Sequence, residues 1–325
     1  MNNKKKKVDI YVCSKPLQFV NAKAIASMQM TSNDKILYII PSFKDATDFV
    51  ERVKYNDDTW KEIYVKKSFV VILSSVFLSN VENLYVHTDM SINLGIFSKL
   101  KKCNIYVYEE GCGSYTSQNW RKKGFVYRVF DRFLGVGEQL TSSKFLAGAF
   151  LYFPQLLMLM RPQNKVLLNR IQPSFLDGIA LNMPILCDIS RFDSEKDLQV
   201  RGKKILLYIT EWQMDRDILK YIEENSSEYD YVYIKPHPHI RKSISLGKIN
   251  CKVLEVDVMA EIIINRLLQQ GNDLTVIHNC STSVLYFLGH IQEKRYFAHD
   301  SFDAENAKEY DFIAKYITRV NLENL

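Results

Sequence analysis

The chain has 325 residues, with 43 Lys and Arg against 37 Asp and Glu, so its formal net charge is only +6, and 47% of its residues are hydrophobic. At roughly 100–200 residues per domain, this length allows about two domains with a sizeable core. The 12% aromatic and 25% charged residues exclude a disordered or low-complexity chain. The six cysteines are scattered without a CxxC pair, which favours a reducing compartment over a disulfide framework or a zinc site.

The N-terminus carries four lysines and then a short apolar run from Val8 to Val12. A signal peptide needs a longer apolar segment and a small-residue cleavage site, so we expect a cytoplasmic protein.

Short β-branched or aromatic runs alternate with segments that have apolar residues at helical spacing. The predicted strands of the first half are 8–13, 35–40, 61–65, 83–87 and 104–108. Those of the second half are 203–209, 229–234, 251–256, 274–277 and 295–298. The alternation predicts parallel sheets covered by helices on both faces.

We therefore expect an α/β fold with two doubly wound, Rossmann-like domains that face a cleft, where ligands would bind beyond the carboxyl ends of the strands. The predicted N-terminal domain spans residues 1–172, and residues 203–303 form the C-terminal domain. Residues 173–202 are expected to be a linker region. Residues 304–325 are expected to form a C-terminal helix that could pack back on the first domain.

The positive charge is concentrated in one window, residues 120–170, whose net charge is +7. It is opposed there only by Asp131 and Glu138. Its nine basic residues are Arg121, Lys122, Lys123, Arg128, Arg132, Lys144, Arg161, Lys165 and Arg170.

Aromatic residues are interleaved with this charge, and the apolar run 145–160 follows, broken by Pro154. The run is shorter than the roughly 20 residues that span a bilayer. One interpretation is a peripheral contact with an anionic membrane at the inner face of the cell membrane. The other is a solvated basic helix followed by a buried core helix. No nucleic-acid motif accompanies the charge, so we expect no nucleic-acid partner.

The first motif with chemical potential follows the strand 104–108 and reads Glu109-Glu110-Gly111. Side chains alternate along a strand, so the two glutamates should point to opposite sides. One carboxylate can then enter a cleft as a general base while the other makes structural hydrogen bonds. The alternative is a solvated turn whose acidic residues cap a helix.

The second motif reads Lys235-Pro236-His237-Pro238 and follows another predicted strand. The two prolines restrict the backbone on both sides of His237. A histidine held in this way can donate to a phosphate or protonate a leaving group, with the Lys235 charge nearby. A rigid surface turn with solvated histidines is the alternative, and metal binding by His237 and His239 is a third.

The third motif is a hydroxyl cluster, Ser281-Thr282-Ser283, that follows the strand 274–277 and should open a helix. Ser and Thr are favoured N-caps, which is the structural explanation. Helix N-termini also bind phosphate through their free backbone amides.

In this order along the chain, the three motifs resemble those of bacterial sialyltransferases. The nearest resemblance is to the lipooligosaccharide and capsular polysaccharide sialyltransferases of glycosyltransferase family 52, which are related to bacterial polysialyltransferases. Residues 11–18, Tyr-Val-Cys-Ser-Lys-Pro-Leu-Gln, also look like that family's first strand and loop. The resemblance covers the chain from about residue 8 to about residue 290.

The resemblance implies a GT-B fold and the roles of several residues. Glu109 is similar to the family's general base and Glu110 to its second acidic residue. The first acidic position is often Asp in the family, so with Glu109 there either glutamate could be the base. His237 matches the histidine that contacts the donor phosphate. Ser281 and Thr282 match the hydroxyl pair on that phosphate.

The remaining candidates take the roles of their neighbours in these motifs. The expected donor-binding residues beside His237 and the hydroxyl pair are Lys235, Pro238 and Ser283. The expected acceptor-side loop residues are Gly111 and Ser14. The general base then lies in the N-terminal, acceptor-side domain, and CMP binds the C-terminal domain.

The function implied is an inverting transfer of sialic acid from CMP-sialic acid to a galactose-containing acceptor of a capsular polysaccharide or lipooligosaccharide, lipid-linked in one version. A nucleoside monophosphate leaving group does not demand a divalent cation, so we expect no metal and no cofactor.

Three alternatives stay open. One is another GT-B transferase, either a glucosyltransferase of the same family or a CDP-polyol phosphotransferase. A second is a non-catalytic nucleotide- or glycan-binding protein. A remote third is a hydrolase with Cys112 as nucleophile.

Overall fold

The computed structural model describes residues 6–43, 45–116, 125–187, 198–210, 214–237, 251–254, 258–279, 281–295 and 304–323. The chain divides into two compact units, Met1–Leu186 and Cys187–Leu325. Each unit is built around its own parallel sheet.

The first unit contains a seven-stranded sheet in the order β3-β2-β1-β4-β5-β6-β7, with parallel pairing throughout. This order extends the usual Rossmann arrangement by one strand and places a topological switch between β1 and β4. The strands are β1 Val8–Cys13, β2 Asp34–Ile39, β3 Glu62–Val65, β4 Val81–Val86, β5 Asn104–Tyr108, β6 Leu146–Leu151 and β7 Leu168–Arg170.

Helices cover both faces of this sheet because neighbouring strand residues point to opposite sides. Ile10 and Val12 of β1 pack with Ile72 of α3 and Leu94 of α4 on one face. On the other face, α7 contacts α1 and α2. The helices are α1 Pro16–Met28, α2 Ala46–Asn56, α3 Phe69–Phe77, α4 Ile92–Leu100, α5 Phe125–Leu134, α6 Pro154–Met160 and α7 Phe175–Leu186, with a 3₁₀ turn at Gly111–Ser114.

The second unit repeats the same architecture with a five-stranded parallel sheet in the order β10-β9-β8-β11-β12. Its strands are β8 Lys204–Ile209, β9 Tyr231–Lys235, β10 Lys252–Val253, β11 Asp273–His278 and β12 Gln292–Arg295. Its helices are α8 Arg216–Asn225, α9 Ala260–Gln269, α10 Thr282–Leu285 and α11 Ala304–Glu323, with a 3₁₀ turn at Ser226–Glu228.

The apolar run 145–160 forms a strand and then a helix, whereas one of the two interpretations predicted a single buried helix. The prediction of a buried core helix is wrong for its first half, which forms the buried strand β6. The helix α6 begins only at Pro154, whose fixed φ suits the first turn of a helix. Composition alone did not separate the two halves, because both consist of apolar residues.

Helices occur both in the predicted linker, residues 173–202, and in the C-terminal segment. Helix α7 lies in the stretch expected to be a linker, yet it belongs to the first unit, where Arg52 Nε donates to Ile185 O at 2.9 Å. Helix α11 belongs to the second unit, where Asn321 Nδ2 donates to Leu288 O at 2.7 Å. Among the helices that the structure describes, none combines the length and the apolar character needed to cross a bilayer.

Candidate active site

The first glutamate of the Glu-Glu-Gly motif is completely buried. Glu109 follows β5, and its Oε2 accepts hydrogen bonds from the Tyr115 hydroxyl and from the backbone N–H of Tyr152 at 2.7 Å. Its carbonyl oxygen accepts from Asn21 Nδ2 at 2.9 Å. Glu109 therefore ties the end of β5 to the end of β6, to the middle of α1 and to the residue after the 3₁₀ turn.

The two tyrosines that surround Glu109 are held in their protonated form. Burial raises the pKa of Tyr115 and of Tyr152 well above the usual value, and the nearby Glu109 charge raises both further. The Tyr115 hydroxyl also accepts from Phe153 N at 3.1 Å, and the Tyr152 hydroxyl donates to Asn21 Oδ1 at 2.8 Å. These bonds join Glu109, Tyr115, Tyr152 and Asn21 in one buried network.

The second glutamate points the other way, as the alternation of side chains along a strand predicts. The side chain of Glu110 is 32% exposed. Its Oε1 accepts from Lys15 Nζ and from Gln18 Nε2, both at 2.9 Å. Its backbone N–H donates to Ser114 Oγ at 2.8 Å, and Gly111 follows with a φ of 77°, a value that favours glycine. The motif thus presents one carboxylate at the surface of the carboxyl edge of the sheet.

Ser14 reaches this carboxylate through Gln18. The Ser14 N–H and Oγ both donate to Gln18 Oε1, at 2.7 and 3.0 Å. The Nε2 end of the same amide group then points to Glu110. The predicted acceptor-side residues Ser14 and Gly111 therefore lie close to Glu110. The sequence motif contained Lys15 and Gln18 but gave no sign that they would bind this glutamate, because the contacts join residues over 90 positions apart.

A histidine that the sequence analysis missed lies beside this group. His87 directly follows β4, the strand between β1 and β5. Burial lowers its pKa, and the charge of Glu110 opposes that shift. Its Nδ1 is buried and has no hydrogen-bond partner among the residues that the structure describes. A lone histidine after an apolar strand carries no motif, so only the fold brings it to Glu110.

In the second unit, the His-Pro motif follows β9 as predicted. The backbone N–H of His237 donates to Thr210 Oγ1 at 2.8 Å, and Thr210 N donates to Lys235 O at 3.1 Å. Lys235 is buried, and its Nζ donates to Pro236 O at 3.1 Å. These bonds fix the backbone of the turn from the end of the neighbouring strand β8. Pro238 lies outside the described residues, and Thr210 is a further residue that the sequence did not reveal.

The hydroxyl cluster follows β11, the strand on the other side of β8. Ser281 occupies the N-cap position of α10 without a side-chain capping bond. Its N–H donates to His278 Nδ1 at 3.0 Å. Within the described part of the chain, no hydrogen bond uses a hydroxyl of Ser281, Thr282 or Ser283, and Thr282 is exposed.

His278 holds this turn in place as a neutral imidazole. The ring is fully buried, and burial lowers its pKa. Since Nδ1 accepts from Ser281 N, the proton lies on Nε2, which donates to Glu293 Oε1 at 2.9 Å. Arg295 Nε approaches the same Glu293 oxygen at 3.1 Å. The hydroxyl cluster is thus positioned by a buried chain of hydrogen bonds.

All of these groups follow the carboxyl ends of parallel strands, where open α/β sheets bind ligands. In the first unit they follow β1, β4 and β5, and in the second unit β8, β9 and β11. Each unit therefore carries one cluster of polar side chains at the edge that the topology favours. Cys112 lies in the 3₁₀ turn next to Glu110, partly buried.

No protein-family model matches the sequence, and no curated protein matches it significantly. Solved structures do match over nearly the whole chain. An α/β-galactoside α-2,3-sialyltransferase from Photobacterium phosphoreum has a TM-score of 0.58 and 11% identity, covering 99% of this chain and all of its own. A UDP-GlcNAc 2-epimerase from Neisseria meningitidis, bound to UDP-GlcNAc, has a TM-score of 0.57 and 12% identity, covering 98% of this chain and 92% of its own.

A structure of the wall teichoic acid polymerase TagF with CDPG has a TM-score of 0.50 and 11% identity, covering 98% of this chain and 80% of its own. At such identities the likeness is one of fold. The chain has the GT-B fold with two Rossmann-like domains, and the predicted fold class is confirmed.

The buried network around Glu109 predicts a difference in stability between the two glutamates. Glu109→Ala leaves the Tyr115 hydroxyl and the Tyr152 N–H unpaired in the interior, so we expect a loss of about 3 kcal/mol in the free energy of unfolding. Glu110→Ala removes a partly exposed ion pair and should cost about 0.5 kcal/mol or less. Urea unfolding followed by circular dichroism measures both values. Equal losses for the two variants would contradict this assignment.

His278 predicts a dependence of stability on pH. Its pKa is lowered on folding, so the unfolded chain binds the proton more tightly, and the stabilisation is fully present above the unfolded pKa of about 6.5. It is lost as the pH falls from there through the folded-state pKa. We expect the free energy of unfolding to fall less between pH 7 and pH 5 in His278→Asn than in the parent, by urea titration. His290→Asn, in the same unit, is the control, and parallel curves for all three proteins would refute the prediction.

Proposed function

We propose that the protein is a glycosyltransferase that moves sialic acid from CMP-sialic acid to a galactose-containing acceptor, with inversion and without a metal ion. The observation that carries the proposal is the partly exposed carboxylate of Glu110 at the carboxyl edge of the first sheet, bound to Lys15 and Gln18. The order of the three motifs and the likeness over the full length of a sialyltransferase support it.

In this proposal Glu110, rather than Glu109, is the general base. A base must reach the proton that it removes, at hydrogen-bond distance. The Oε2 of Glu109 is engaged by Tyr115 and by Tyr152 N in the interior, whereas Glu110 reaches solvent. The role of Glu109 is then to position the turn, whereas the resemblance in sequence matched Glu109 to the base and left open which of the two glutamates acts.

The acceptor hydroxyl would attack the anomeric carbon of the sialyl group while Glu110 takes its proton. The new glycosidic bond forms on the side opposite to the bond that breaks, so the configuration inverts. The electron pair of the breaking bond leaves on the phosphate oxygen of CMP. Lys15 and Gln18 hold Glu110 Oε1, so the carboxylate is oriented before the acceptor arrives.

The second unit would bind the donor and stabilise the charge that grows on the CMP phosphate. His237 donates to that phosphate from a backbone fixed by Thr210. The hydroxyls of Ser281 and Thr282 add donors without having to break an existing bond within the described structure. Preorganised donors of this kind stabilise developing charge without reorganisation. Lys235 supports the turn through the Pro236 carbonyl and adds positive charge.

A second candidate function is transfer from a CDP-linked donor. The specific observation that favours it is the likeness to the polymerase TagF in a structure with CDPG, over 98% of this chain. The same polar edges could bind a diphosphate, and the acceptor hydroxyl would then attack the donor at phosphorus instead of at an anomeric carbon, with CMP as the leaving group.

A donor panel tests the proposal directly. The purified chain is incubated with CMP-sialic acid, CDP-glycerol or UDP-sugars and a set of galactosides, with and without EDTA, and release of the nucleotide is measured. We expect CMP release with a galactoside, unchanged by EDTA. Turnover of a CDP- or UDP-linked donor alone would favour another transferase, and tight CMP binding without turnover would favour a binding protein.

The two glutamates should differ in the pH dependence of catalysis. A base must be ionised, so kcat/KM of the parent should fall on the acidic side. Glu110→Gln should lower kcat by about 10²–10⁴-fold and remove that acidic limb. Glu109→Gln should keep the limb, whatever activity its effect on the turn costs.

His237→Ala should lower kcat by a similar factor, because it removes a donor to the leaving phosphate.

Glu51→Gln is the matched control for the two glutamate variants, since Glu51 is an exposed acid paired with Lys54 in the same unit as Glu110. Loss of the acidic limb in Glu109→Gln but not in Glu110→Gln would reverse the assignment of the base.

A further inference from the structure

One layer of helices in the first unit has an outer surface that is unusual for a water-facing layer. Helices α3 and α4 pack against one face of the sheet, and α4 contacts both α3 and α5. Helix α5 is seated closely on α4, because a Cβ on Gly95 would lie only 2.7 Å from Val136 and 3.0 Å from Leu134. The outward sides of these helices, residues 66–78, 91–102 and 125–134, are called here the α3–α5 face.

Helix α5 leaves far more apolar surface in solvent than a normal surface helix does. Its acidic residue, Asp131, is only 3% exposed, whereas Phe133 is 77% exposed. An amphipathic helix on a soluble domain normally turns its apolar side to the core. The exposed apolar side chains recur at intervals of three and four residues and are Val126, Tyr127, Val129, Phe130 and Phe133.

The apolar surface continues from α5 across the other two helices. Helix α4 exposes Ile96 and Leu100, one turn apart. Helix α3 and the residue that ends it expose further apolar side chains on their outward side, which are Val70, Val71, Phe77 and Leu78. An apolar surface spread over three adjacent elements marks a site of interaction.

The charge of the α3–α5 face has one sign. The three segments hold seven basic residues and a single acid, the buried Asp131. Arg128 and Arg132 lie one turn apart along the edge of the apolar stripe of α5. The others lie at the ends of α3 and α4 and are Lys66, Lys67, Lys99, Lys101 and Lys102.

We propose that the α3–α5 face docks on the surface of an anionic lipid bilayer, with α5 lying in the plane of the interface. Phe130 and Phe133 would enter the boundary between headgroups and acyl chains, and Arg128 and Arg132 would contact lipid phosphates. Apolar burial and attraction to anionic headgroups act together in such helices. The binding is peripheral.

This location differs from the basic window of the sequence. Arg161, counted there as a surface charge, is buried and donates to Leu140 O at 2.5 Å and to Ser114 O at 2.8 Å. The lysines of α3 and α4 lie outside that window, and the fold adds them. Arg121, Lys122 and Lys123 lie outside the described residues.

A second copy of the chain suits the α3–α5 face less well than a bilayer does. In a symmetric dimer the same patch would face itself, so seven basic residues would oppose seven others. No exposed acid on the α3–α5 face is present to neutralise them, because Asp131 points inward. An anionic lipid surface offers the opposite charge over the whole area.

The test is co-sedimentation of the full chain with vesicles, in the absence of any substrate. We expect binding to vesicles of phosphatidylglycerol and phosphatidylcholine, and at least tenfold weaker binding to phosphatidylcholine alone. Phe130→Ser combined with Phe133→Ser should weaken binding to the anionic vesicles at least tenfold. Arg128→Gln combined with Arg132→Gln should weaken it severalfold and reduce its sensitivity to salt.

The matched control combines Tyr55→Ser with Leu181→Ser, which removes two exposed apolar side chains from α2 and α7. It should bind as the parent does, and circular dichroism establishes that each variant is folded. Failure of the parent to bind anionic vesicles, or equal losses in the control, would overturn the proposal. So would a dimer in light scattering that Phe133→Ser abolishes while vesicle binding persists. Because no donor is present, this test is independent of the proposed transfer reaction.

Discussion

The buried carboxylate of Glu109 is the interaction on which the first polar cluster depends. It accepts from Tyr115 and from the N–H of Tyr152, so it joins the ends of two neighbouring strands to the turn between them. Because both donors are buried, neither could donate to water instead if Glu109 were removed. The backbone is thereby fixed at the last residue of the strand, and alternation then turns Glu110 outward toward Lys15. The buried glutamate therefore determines the direction of the exposed one.

The three motifs share one way of being held. The backbone N–H of Glu110 donates to the Ser114 hydroxyl, that of His237 to Thr210 and that of Ser281 to the His278 ring. In each case a side-chain acceptor fixes the backbone beside a side chain that is proposed to act. A site built in this way does not have to reorganise as charge develops, which is the property that electrostatic catalysis requires.

The fold could be predicted because strands and helices alternate along the chain, and each motif was found at a strand end for the same reason. What the sequence could not supply were contacts between distant segments. The alternation of side chains predicted that Glu109 and Glu110 would diverge, but the inward direction was set by Tyr152, which lies 43 positions further along the chain. His87 and Thr210 were missed because a single residue after a strand forms no pattern. The strand β6 was missed because it and the helix after it are both mostly apolar.

The same topology also determines where the basic residues of the α3–α5 face lie. The helices α3, α4 and α5 follow the strands β3, β4 and β5, so the layer begins at the carboxyl edge of the sheet, where Glu110 lies. A bilayer bound to the α3–α5 face would therefore lie beside the edge that carries the proposed base. The bound protein would then meet an acceptor glycan anchored in that bilayer by diffusion in two dimensions instead of three. In that arrangement the exposed apolar side chains of α5 would hold the proposed base, Glu110, near a lipid surface.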